Sequence, residues 1–259
     1  MKKIAGLEPY LRNRMKKRDI LLMTHIVVGH PSFSSAFMLV RTMVNAGVDL
    51  MELQIPCPEP VADGPVIARA NREAIKQGAG VERCLDFAKK VVHSFDIPFL
   101  IMTYWQVPLS YGVTHFVSAM AHKGLKGAII PDLPPEEGPD YLKAMQTHDL
   151  SPILIFSPTT SGERMRQINA AGRGFIYCVA RKGVTGAKTA LSKDLTSYLG
   201  RCRTATRLPI AVGFGIKDRA DVDFLKGKAD IAVVGTRILR MAEEQGIPSV
   251  GPFIRGLRT

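Results

Sequence analysis

The sequence predicts an α/β fold in which eight parallel strands close into a (β/α)8 TIM barrel, with one extra helix ahead of the first strand. Three observations carry this expectation. Short apolar runs alternate with longer amphipathic stretches along the whole chain. Most of the runs are almost continuously apolar, the pattern of strands covered on both faces. The length, 259 residues, matches one such barrel, for which about 250 is typical. No linker breaks the alternation, so residues 1–259 are expected to form a single domain. An open doubly wound sheet is the competing arrangement, and eight strand–helix units in this length favour closure.

Taken in order, the first element is a helix. Ile4, Leu7, Leu11 and Met15 fall three or four residues apart, which places them on one stripe for burial. The strand runs then follow: Leu21 to Val28, Asp49 to Ile55, Pro98 to Tyr104, Gly127 to Asp132, Pro152 to Ser157, Gly174 to Ala180, Pro209 to Phe214 and Asp230 to Gly235. Between them lie amphipathic segments such as SSAFMLVRTMVNAG and VERCLDFAKKVVHSF. Several end in glycine just before the next strand, at Gly47, Gly124 and Gly227, where a left-handed helix stop is expected.

Composition narrows the function. Hydrophobic residues make up 46% of the chain, enough for a large core. No apolar run reaches the roughly 18 residues of a membrane span, and the N-terminal stretch lacks the apolar centre of a signal peptide. The four cysteines show neither CxxC pairing nor metal-ligand spacing, so free thiols and a cytoplasmic location are expected, with no metal. The formal charge of +12 is scattered, without an aromatic-studded RNA motif or a recognition helix. A nucleic-acid or membrane partner is therefore not expected, which leaves an anionic substrate or an acidic partner as readings of the charge.

In a barrel of this kind the active site lies at the C-terminal ends of the strands. Three glycine-bearing turns fall there, after the sixth, seventh and eighth runs: Gly183 to Gly186, Gly213 to Ile216 and Gly235 to Arg237. Backbone N–H groups and a helix N-terminus at such turns suit a phosphate, with Thr236 as an added hydroxyl donor and Arg237 as a charge if it turns inward. The sixth loop, ARKGVTGAKTALSKD, has the composition of either a mobile lid or a plain exposed loop. Glu52 stands inside an apolar run. Alternation puts Leu50, Glu52 and Gln54 on one face, and an inward Glu52 would face the cavity. Burial raises a carboxyl pKa, which suits a group that both gives and takes a proton; pairing with a buried Arg or Lys is the structural alternative. Asp63 follows in the next loop, either as a helix cap or as a second working carboxylate.

At these residues the chain resembles a family. The phrases Glu52-Leu53-x-x-Pro56 and Pro60-x-Ala62-Asp63-Gly64-Pro65, then Asp132-Leu133-Pro134, Pro158-Thr159-Thr160, Gly174-Phe175-Ile176-Tyr177, Arg181-x-Gly183-Val184-Thr185-Gly186 and Gly213-Phe214-Gly215-Ile216 are similar, in order and spacing, to the tryptophan synthase α subunits. The resemblance implies a barrel that cleaves indole-3-glycerol phosphate to indole and glyceraldehyde 3-phosphate, without cofactor or metal. It implies a β subunit that receives the indole, in an α2β2 heterotetramer. By the same resemblance Glu52 is the general acid–base and Asp63 the carboxylate that holds the indole N–H. Thr185 is the lid residue that reaches this Asp. Tyr104, Tyr177 and Phe214 contribute to the substrate pocket. Gly186, Gly215, Gly235 and Thr236 form the phosphate cradle, and Glu59, Gln106 and Asp132 meet the β subunit.

The chain departs from the family's usual phrases at a few places. Gln54 stands for a glycine, Cys57 for an aromatic, His25 for a pocket aromatic, His30 for an aspartate, Gln106 for an asparagine and Thr236-Arg237 for Ser-Ala. Two other readings follow from these changes: a non-catalytic subunit that only stimulates a β enzyme, and a barrel lyase with another phosphorylated substrate.

Overall fold

The computed structural model describes residues 4, 6–180, 191–213 and 215–258. Eight strands lie in sequence order around a closed parallel barrel: β1 (Leu21–Val27), β2 (Leu50–Gln54), β3 (Phe99–Met102), β4 (Gly127–Ile129), β5 (Ser151–Phe156), β6 (Ile176–Val179), β7 (Ile210–Gly213) and β8 (Ile231–Val234). Every strand but β5 falls inside its expected run, and β5 begins one residue earlier, at Ser151. β1, β2, β3 and β8 are buried along their whole length, which explains their unbroken apolar character. Closure rests on the β1–β8 ladder, where Met23 pairs with Val233 and Thr24 with Val234. Helices Phe33–Asn45, Val81–Ser94 and Val113–His122 cover the outside with apolar stripes. Gly47 and Gly124, with φ of 94° and 81°, end two of the helices as expected. No described helix is long and apolar enough to cross a membrane.

The extra helix forms over Leu7–Met15 and buries Leu7 and Leu11. It closes the end of the barrel away from the strand C-termini. One buried aspartate fixes it there. Asp49 Oδ1 accepts from Arg14 at 2.6 and 3.0 Å, and Oδ2 accepts from the Leu22 N–H at 2.9 Å and from Arg258. The Asp49 carbonyl accepts from the Tyr10 hydroxyl at 3.0 Å. Asp49 is fully buried, so its charge is tolerated only through these partners. One residue thereby links the first helix, β1, β2 and the C-terminal segment. Asp49→Ala is expected to cost about 3 kcal/mol, since it leaves part-buried guanidinium groups without their counter-ion. Urea unfolding of the two proteins checks this.

Candidate active site

The site is built at the opposite end. Parallel register sets His25 of β1 beside Glu52 of β2, and Tyr177 of β6 beside Ala211 of β7. Neighbours in register point to the same face, so His25, Glu52 and Tyr177 all project inward. A cavity of about 210 Å³ opens among them, with Asp63 on one wall and Gly215, Gly235 and Thr236 on another.

Glu52 is buried, and its Oε1 lies 2.9 Å from His25 Nδ1. Its Oε2 has no partner among the described residues. The buried Arg or Lys considered from sequence is replaced by this histidine. Asp63 does not cap the helix that follows: the N-cap of Pro65–Lys76 is Gly64, with no side-chain cap bond. Instead Asp63 Oδ2 accepts from Gln54 Nε2 at 2.8 Å and from the Tyr104 hydroxyl at 2.9 Å. The Tyr104 oxygen in turn accepts from the Ala62 N–H at 3.1 Å, which ties the loop to β3. Burial pushes the Tyr104 phenol up, and the negative charge of Asp63 and their hydrogen bond push it further, so Tyr104 keeps its proton and donates. The Tyr177 phenol is likewise raised, by burial first and then by the charges of Glu52 and Asp63.

The anion end faces these carboxylates. Gly235 is the N-cap of helix Thr236–Gln245, so unpaired backbone N–H groups and the helix dipole point toward the cavity. Gly213 leaves room for the pocket tyrosine: a Cβ there would lie 2.5 Å from the Tyr177 hydroxyl. Arg237 does not join the cradle. Its guanidinium lies over the Phe253 ring at 5.9 Å, on the outside of the barrel. A residue directly after an inward-lying helix start turns back along the helix, and packing against the last helix holds it there.

The family model for the tryptophan synthase alpha chain matches residues 11–249. This chain belongs to the tryptophan synthase alpha chain family. It is 59% identical over 251 residues to the alpha chain of Desulforapulum autotrophicum, covering 97% of this chain and 99% of that one. It is 57% identical to the alpha chain of Syntrophotalea carbinolica, covering 97% and 100%. Among solved structures, tryptophan synthase from M. tuberculosis in its aminoacrylate-bound form matches with a TM-score of 0.88 at 28% identity, covering 98% of each chain. The alpha subunit from Legionella pneumophila str. Paris gives the same score and identity, covering 97% and 96%. As a tryptophan synthase alpha chain, the protein is a carbon–carbon lyase of tryptophan biosynthesis acting on indole-3-glycerol phosphate.

Of the residues expected in the alpha-chain site, Glu52, Asp63, Tyr177, Gly215, Gly235 and Thr236 meet at the one cavity, and Tyr104 stands behind Asp63. Thr185, Gly186 and Phe214 lie outside the described residues, as do residues 181–190 of the expected lid; its last four residues begin the helix Leu191–Ala205. Glu59, Gln106 and Asp132 are all exposed on the rim of the same end. They sit on connected loops: Gln106 Nε2 donates to Cys57 Sγ at 2.9 Å, and Asp132 accepts from the Trp105 N–H at 2.9 Å. What the sequence did not announce is the work of His25, Gln54 and Gly213. Alternation had put Gln54 on the Glu52 face, but neither its reach to Asp63 nor the cross-strand contact of His25 leaves a local pattern.

Proposed function

We propose that Glu52 and Asp63 divide the retro-aldol cleavage between them. Glu52 delivers a proton to indole C3, and Asp63 stabilises the indolenine-like cation through its N–H. The same Glu52 then takes the proton of the side-chain hydroxyl. The O–H electrons form the carbonyl of glyceraldehyde 3-phosphate, the C–C bond breaks, and its electrons restore the indole ring. One proton is given and one regained, so the carboxyl returns to its starting state. The observation that carries this reading is that each carboxylate has one oxygen held by neighbouring side chains. The other oxygen is unclaimed among the described residues. Gly215, Gly235 and Thr236, with Gly186 of the sixth loop, hold the phosphate; Tyr177, Tyr104 and Phe214 shape the indole side; Thr185 closes on Asp63.

The rim residues Glu59, Gln106 and Asp132 meet the β subunit in an α2β2 assembly within the cytoplasm, and the chain works as a single domain. No cofactor is needed for the cleavage step. The test is indole release from indole-3-glycerol phosphate by the purified chain, alone and with a β subunit. Indole and glyceraldehyde 3-phosphate are expected in equal amounts, faster when the β subunit is present. Absence of indole in both arms overturns the assignment.

A further inference from the structure

The two polar side chains nearest the catalytic carboxylates stand where the family's usual phrases carry other residue types. His25 is the more telling. Its side chain is buried inside the barrel mouth, and its Nδ1 lies 2.9 Å from Glu52 Oε1. The ring is seated from both sides. β2 presents Glu52 in register with it, and on the β8 side Gly235 leaves the space it fills, since a Cβ there would lie 3.3 Å from His25 Cβ and 3.7 Å from Cγ. The Nε2 atom has no partner among the described residues. A buried imidazole with one nitrogen unsatisfied is costly as mere packing, where an apolar ring would serve better.

We propose that His25 is a positioning residue for the cleavage reaction: by donating from Nδ1 to Glu52 Oε1 it leaves Oε2 as the oxygen that exchanges protons with the substrate. This rests on the role given to Glu52 above. With Oε1 occupied as an acceptor, a proton on the carboxyl sits on Oε2, the oxygen left without a partner among the described residues. The second effect is electrostatic. A buried carboxyl with no donor is held in its neutral form, and a donor, above all a cationic one, restores the charged form. The titratable groups facing His25 across the cavity are Glu52 from β2, Asp63 from the loop after it and Tyr177 from β6; β8 contributes Gly235 and Val233, which carry no charge. Burial lowers the His25 pKa. The hydrogen bond and charge of Glu52, with the charge of Asp63, outweigh it and leave the pKa above the ordinary histidine value.

Two measurements test this. The first compares pH profiles of indole release for the wild type, His25→Phe and His25→Asn. Phenylalanine fills the space without a donor, and the asparagine amide nitrogen falls near the place of Nδ1. His25→Phe is expected to lower kcat about tenfold with KM within threefold, and to move the limb governed by Glu52 about one unit to higher pH. His25→Asn is expected to recover kcat to within threefold and to return the limb toward its wild-type position. A His25→Phe protein with kcat within twofold and an unmoved limb overturns the proposal, as does failure of asparagine to restore either quantity. The second follows the His25 ring by NMR across pH without substrate, in wild type and Glu52→Gln. Its pKa is expected to be elevated in the first and to fall in the second. An unshifted titration in both overturns the pairing. A shifted titration in a chain that releases no indole counts against the assigned reaction and leaves the pairing standing.

Discussion

Glu52→Gln is expected to lower kcat for indole release by about 10³-fold, within the range lost when a general acid–base group is removed. The substitution keeps the shape of the side chain. Its amide oxygen can still accept from His25 Nδ1, so the contact that seats residue 52 on β2 survives. What is lost is a site that can carry a proton at the Oε2 position, and neither Tyr177 nor Asp63, which also line the cavity, replaces it. Tyr177 keeps its proton too tightly, because burial and the neighbouring carboxylates raise its phenol well above the ordinary value. Asp63 is engaged through Oδ2 by Gln54 and Tyr104 and lies in the loop beyond the strand. KM is expected to stay within about threefold, because the anion end at Gly215, Gly235 and Thr236 is untouched.

The same variant is expected to unfold at an equal or higher temperature. A buried carboxylate with an unpartnered oxygen costs stability that a neutral amide recovers in part, by about 1 kcal/mol. Steady-state kinetics together with thermal unfolding check both halves. Turnover near the wild-type rate would sink the catalytic role, whatever the stability did.

Glu52 also shows how far the chain could be read before folding. A carboxylate inside an apolar strand run is visible in sequence, because strand alternation fixes its face and the barrel rule fixes its end. The eight strands were visible for the same reason, with most limits drawn in at the ends and β5 starting one residue early, at Ser151. β4 stops at Ile129 rather than running to Asp132, since Pro131 has no N–H for the ladder. Contacts between strands carry no such local mark. His25 reaches Glu52 only because β1 and β2 pair in one register, 27 residues apart. The inward turn imagined for Arg237 failed similarly: helix direction after Gly235, and the Phe253 ring waiting outside, decide where that side chain lies.

The buried polar atoms without partners follow the same geography. Among the described residues four of them, Thr24 Oγ1, His25 Nε2, Glu52 Oε2 and Gln54 Oε1, lie on β1 and β2; the others are His30 Nδ1, Arg237 Nε and Arg258 Nε. Native cores seldom leave such atoms unsatisfied, and three of these four, on His25, Glu52 and Gln54, belong to the strand face that turns toward the barrel axis, whereas Thr24 lies on the other face. This end of β1 and β2 is shaped for a ligand at some expense to stability, whereas Asp49 at the other end has its carboxylate oxygens engaged and serves the fold.

Asp63→Asn follows from that contrast and is expected to lower kcat/KM by about 10²-fold, the scale of losing a charge-assisted acceptor and turning it into an opposing donor. Two donors converge on Oδ2, the Gln54 amide at 2.8 Å and the Tyr104 hydroxyl at 2.9 Å. The Tyr104 phenol stays protonated, so it continues to donate. An asparagine must therefore place its carbonyl oxygen toward this pair, and its NH2 group then takes the Oδ1 position. A donor would face the indole N–H where the wild type offers a charged acceptor. The loss falls on both binding and the cationic transition state, so KM rises and kcat falls. Gln54→Gly removes only one of the two tethers and is expected to cost less, about threefold to tenfold in kcat/KM, with Tyr104 still holding the carboxylate. Kinetics of the two variants side by side separate these effects. If Asp63→Asn keeps kcat/KM within threefold of wild type, the carboxylate does not hold the indole N–H, and the Gln54 and Tyr104 contacts serve only to shape the loop.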